Sequence, residues 1–90
     1  MERQTIIKKI HKILDQHSIS EAYLFGSFAR GEKYNDIDIL ISPPRGFTLL
    51  DLSRLAQEME DALCIGVDVV TKGGLDPYIR KHILKEIVKL

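Results

Sequence analysis

This sequence has little that would mark a secreted or membrane-bound chain. Its single cysteine, Cys64, can form no internal disulfide, so it lacks the covalent framework of small extracellular domains. No apolar run exceeds a few residues, too short to cross a bilayer. The opening residues, Met1-Glu2-Arg3-Gln4-Thr5, lack the apolar stretch of a signal peptide. The expected setting is therefore the cytoplasm, away from membranes. Repeats, linkers and low-complexity segments are absent too. With 44% hydrophobic and 29% charged residues in 90, a disordered tail is excluded and a single domain over residues 1–90 is expected. A domain this small buries about 60–70% of its exposable surface, so the core is thin.

Net charge is also absent, but the charges are segregated. Residues 1–17 are net +2, residues 72–90 net +3, and residues 18–71 net −5. That balance gives no whole-molecule attraction to nucleic acid, and no direct nucleic-acid binding is expected. The acidic middle instead calls for cations locally.

Residues 3–17 place Ile6, Ile7, Ile10, Ile13 and Leu14 at helical spacing with lysines opposite, an amphipathic helix. Glu21–Phe25 reads as a strand ended by Gly26. Asp36–Ile41 alternates, then stops at Pro43-Pro44, and reads as a second strand. Thr48-Leu49-Leu50-Asp51 has the spacing of an N-terminal cap, followed by the stripe Leu52, Leu55, Ala56, Met59, Ala62 and Leu63. Gly66 releases a third strand, Val67–Thr71, and Asp76-Pro77 opens a last helix with Ile79, Ile83, Leu84, Ile87 and Val88 as its buried stripe. The expected fold is α/β (α+β), α-β-β-α-β-α, with a small mixed three-stranded sheet.

Asp36 and Asp38 stand at i and i+2 of a strand, so both side chains leave one face, with Cα atoms about 6.5–7 Å apart. They can converge on one cation; alone, such a pair is more often a solvated strand face. Asp68 shifts that balance. The helix of about 15 residues between strands two and three has the length of a crossover, which makes those strands parallel. Their starts then share one end of the sheet, and Asp68 joins Asp36 and Asp38. Three carboxylates on one face suit Mg²⁺ or Mn²⁺, which take oxygen ligands and bind phosphates.

Gly26-Ser27 lies where the first strand ends, and Phe28-Ala29-Arg30-Gly31 can make one helical turn. Free N–H groups there, the Ser27 hydroxyl and the Arg30 guanidinium would attract phosphate. A phosphate cradle beside metal-binding acids is the arrangement of phosphoryl or nucleotidyl transfer. It is no Walker loop, because Glu32-Lys33 follows Gly31.

Gly26-Ser27-Phe28-Ala29-Arg30-Gly31, four residues, then Asn35-Asp36-Ile37-Asp38-Ile39-Leu40 resembles the signature of the DNA polymerase β-like nucleotidyltransferase superfamily. It is most similar to the minimal nucleotidyltransferase group, the antitoxins of HEPN/MNT systems. The likeness continues through Val67-Asp68-Val69-Val70, Leu75-Asp76-Pro77-Tyr78 and the Ile83-x-x-Glu86 spacing. Asn35 departs from the usual serine but keeps its hydrogen-bonding capacity. The resemblance implies the nucleotidyltransferase palm fold, catalytic and metal-binding roles for Asp36, Asp38 and Asp68, and nucleotide binding by Gly26, Ser27 and Arg30. It implies ATP as substrate and Mg²⁺ or Mn²⁺ as cofactor. It further implies AMP transfer to a tyrosine of a HEPN-type ribonuclease toxin, which would place added negative charge near an RNA-cleaving site. Larger relatives bind acceptors with a second domain; a bare palm implies an acceptor that brings its own docking surface. Apolar residues left exposed on the two terminal helices would receive it.

Two other functions compete. One is a non-catalytic antitoxin subunit, for which three acids and a glycine-serine turn are not needed. The other is transfer to a small-molecule hydroxyl. Among the remaining residues, His11, His17 and His82 are expected at surfaces or helix ends, Cys64 and Tyr23 in the core, Tyr34 and Tyr78 exposed, and Phe47 closing a loop onto the core.

Overall fold

The computed structural model describes residues 1–90. Its elements run α1 (Arg3–Gln16), β1 (Glu21–Phe25), α2 (Gly26–Ala29), β2 (Asp36–Ser42), α3 (Leu49–Leu63), β3 (Gly66–Thr71), a 3₁₀ turn (Lys72–Gly74), α4 (Pro77–Ile83) and β4 (Val88–Lys89). The sheet order is β3-β2-β1-β4. β1 is antiparallel to both its neighbours, and β2 and β3 are parallel.

Strand parity decides what is inside. Ile37, Ile39 and Ile41 of β2, Ala22 and Leu24 of β1, and Val67 of β3 are buried on one face. There they meet Ile6, Ile10, Ile13 and Leu14 of α1 and Leu55, Met59 and Leu63 of α3 in one apolar cluster. Phe28 joins this core from α2, and Phe47 packs against it from its loop. Arg3 ties α1 to the α2 turn: its Nη1 donates to the Phe28 carbonyl at 2.5 Å and its guanidinium lies 4.5 Å from the Phe28 ring centre.

Local signals act as the sequence predicts at α3. Thr48 Oγ1 accepts from the Asp51 N–H at 3.2 Å, while Asp51 Oδ2 accepts from the Thr48 N–H at 2.8 Å, a reciprocal cap. Cys64 is a correction. It takes the left-handed position that ends α3, at φ 56°, and is exposed rather than buried. Tyr23 is half-buried on the opposite sheet face, donating to Glu21 at 2.7 Å. Lys72 also bonds Glu21, and it is chiefly this bond that lowers the Glu21 pKa to about 2. The network links the end of β3 to the start of β1. Tyr34 is half-buried as well, edge-on to Phe28 at 4.7 Å.

The C-terminal segment departs most from expectation. α4 stops at Ile83, no residue of it is fully buried, and Val88 belongs to a fourth strand. Lys85 N–H and Glu86 N–H bond three residues back, to His82 and Ile83, which closes a tight turn. Val88 and Lys89 then pair with Leu24 and Tyr23, and the Leu90 N–H reaches the Ala22 carbonyl at 3.0 Å. The reason is the open edge of β1, whose unpaired backbone groups are satisfied by a β-branched tail.

Candidate active site

Each acid is positioned by its strand. The parallel register aligns Asp38 with Asp68 and Asp36 with Gly66, and strand parity sends all three side chains to the face away from the core. Paired strands lie about 4.8 Å apart, so Asp38 and Asp68 are direct neighbours. The sequence predicts this arrangement, and the fold has it.

Two glycines make room for the carboxylates. A Cβ on Gly26 would overlap Asp38 Oδ2, and one on Gly66 would overlap Asp36 Oδ1. Gly26 also holds a φ of +75°, where a side chain is disfavoured. The antiparallel register sets Phe25 opposite Asp38, and the chain turns at the next residue into α2. Ser27 is therefore the second residue of a helical turn whose first N–H groups have no intrahelical partner.

Electrostatics link the acids. Asp38 is half-buried, and its pKa is raised first by loss of hydration, then by the charges of Asp68 and Asp36; Arg30 partly opposes this. Asp36 and Asp68 are exposed. The three carboxylates do not close into a group at metal-ligand spacing as they stand, since Asp36 and Asp38 lean on separate glycines. Their chemistry nonetheless fits a hard divalent cation: oxygen donors only, one shared face, and repulsion that such a cation would relieve.

Arg30 ends α2 with Nε donating to Glu32 at 3.0 Å and Nη1 donating to Glu86 at 3.0 Å. Between the Gly26 turn and the end of α4 lies a cleft of about 300 Å³, lined by Phe25, Gly26 and Arg30 on one side and His82, Ile83, Lys85 and Glu86 on the other. Sequence reasoning missed His82, Lys85 and Glu86 as site-lining residues; the available signals were the basic balance of residues 72–90 for the first two and the Ile83-x-x-Glu86 spacing for the third. A larger cavity of about 490 Å³ between α1 and α3, lined by Lys9, Lys12 and Glu58 among others, involves none of these groups.

A parallel strand pair carrying three acids beside a glycine-serine turn defines a nucleotidyltransferase palm. Comparison with known proteins agrees: the family model of the nucleotidyltransferase domain matches residues 7–90. A protein of Methanocaldococcus jannaschii named as a protein adenylyltransferase is 42% identical over 90 residues, covering 98% of this chain and 97% of that one. A solved minimal nucleotidyltransferase superposes with a TM-score of 0.85 at 34% identity, over 100% of this chain and 97% of the other. A toxin–antitoxin structure with AMP-PNP superposes with a TM-score of 0.79 at 27% identity, over 91% and 69%. The chain belongs to the minimal nucleotidyltransferase family and is a nucleotidyltransferase.

Proposed function

We propose that residues 1–90 form a minimal adenylyltransferase that moves AMP from ATP to a tyrosine hydroxyl of a HEPN-type toxin, and so act as its antitoxin in the cytoplasm. The observation that carries this reading is the alignment of Asp38 with Asp68, and of Asp36 on the same face, beside the positive-φ turn at Gly26. The similarity to a protein adenylyltransferase supports a protein acceptor, and the toxin–antitoxin structure with AMP-PNP supports the partner class and ATP.

Asp36, Asp38 and Asp68 would hold Mg²⁺ or Mn²⁺, which supplies Lewis-acid polarisation of phosphate oxygens when bound. Gly26 lets the backbone come close to the phosphates, while Ser27 and Arg30 add a hydroxyl and a guanidinium to that cradle. The tyrosine oxygen forms a bond to the α-phosphorus as the bond to pyrophosphate breaks. Asp68 takes the hydroxyl proton, an assignment supported by its exposure on the edge strand β3. Tyr78, Ile79, Leu84 and Val88 are exposed and would offer the partner its apolar contact.

Incubation with α-labelled ATP, Mg²⁺ and a HEPN-type protein tests the reading. Label on a partner tyrosine is expected. Label on a small molecule or a nucleic-acid end would overturn the protein acceptor, and no label with ATP still bound would favour a non-catalytic antitoxin.

A further inference from the structure

The cleft beside Gly26 carries a contact that a phosphate cradle does not require. Arg30 and Glu86 are far apart in sequence, yet Nη1 donates to Glu86 Oε2 at 3.0 Å across the cleft wall. Glu86 lies in the tight turn between α4 and β4, so this ion pair joins the glycine turn to the C-terminal segment. Its carboxylate occupies the guanidinium edge that an anion entering the cleft would use. His82 and Lys85 line the same cleft, and Glu86 is its only acidic lining residue.

We infer that Glu86 competes with nucleotide for Arg30: it holds the guanidinium in the free chain and gives it up to a phosphate group when ATP enters. This deepens the adenylyltransferase reading and rests on it. The exchange is physically easy. Arg30 and Glu86 side chains are 41% and 54% exposed, and exposed ion pairs are weakly held. A phosphate offers a guanidinium charge-assisted contacts and more negative charge than one carboxylate does. Glu32 has a different part. It is two residues from Arg30, bonds Nε rather than Nη1, and can stay in place while the outer edge turns to phosphate. Withdrawal of Glu86 also leaves the cleft lined by Arg30, Lys85 and His82, which suits a triphosphate.

Calorimetric titration of the full chain with ATP and Mg²⁺ tests the exchange. Glu86→Gln removes the competing charge and keeps side-chain size, so ATP should bind roughly two- to fivefold tighter, the scale of one exposed charge contact. In an Arg30→Gln background the same change should have a clearly smaller effect, because the receiver of the contact is gone. Unchanged or weaker ATP binding by Glu86→Gln would overturn the inference, as would an equal gain in both backgrounds. A wild-type chain that binds no ATP would instead overturn the adenylyltransferase reading on which it rests.

Discussion

At the scale of single residues, the acids trade stability for chemistry. Burial and the neighbouring charges of Asp68 and Asp36 raise the Asp38 pKa. The folded chain then holds the Asp38 proton more tightly than the unfolded chain does. Stability therefore falls as pH rises from the ordinary aspartate range through the raised value, and stays lowered above it. Asp36→Asn with Asp38→Asn should remove that loss. In EDTA at neutral pH the double variant should melt at the same temperature as the wild type or a few degrees higher, and near pH 3 the two should converge. Mg²⁺ should raise the melting temperature of the wild type alone. A large drop in melting temperature for the variant would mean that the acids hold the fold rather than a cation.

At the scale of elements, the site depends on a turn that admits no side chain. Gly26 and Gly31 both have a φ of 75°, but only at Gly26 would a Cβ strike a neighbour, the Asp38 carboxylate. Gly31→Ala should cost about 1–2 kcal/mol of stability for its backbone conformation alone and retain AMP transfer. Gly26→Ala should cost more and abolish transfer, because Asp38 must move. Urea unfolding beside a transfer assay measures both; equal activity in the two variants would contradict this role for the turn. Such devices are legible in sequence when the signal is local. The Asp36–Ile41 alternation, the Thr48–Asp51 cap and the length of α3 are enough to yield strand faces, a helix start and a parallel strand pair. The C-terminal segment is not legible this way. Ile83, Leu84, Ile87 and Val88 keep helical spacing with no glycine or proline among them, and β4 forms only because β1 presents an open edge. Cys64 misled for a related reason: the left-handed cap of α3 is a conformation more often marked by glycine. The spacing of Glu86 from Ile83 is visible in the sequence, but its contact with Arg30 became readable only in the fold.

At the scale of the whole molecule, charge and apolar surface divide the protein in two. The isoleucines of α1 are buried against α3 and the sheet, so the expectation of exposed apolar residues on both terminal helices holds only for the C-terminal end. There Tyr78, Ile79, Leu84 and Val88 lie exposed among Arg80, Lys81, Lys85 and Lys89. No helix is long and apolar enough to cross a membrane. The basic C-terminal segment lines the cleft beside Gly26, and Gly26 in turn abuts the Asp38 carboxylate. In the proposed reaction Asp36, Asp38 and Asp68 drive AMP transfer onto a protein. Intact-mass spectrometry of a HEPN-type protein co-expressed with this chain tests this reaction. The wild type should add mass in whole increments of AMP, localised to tyrosine, and the Asp36→Asn/Asp38→Asn variant should add none. A partner left unmodified by the wild type, or modified equally by the variant, would contradict the account.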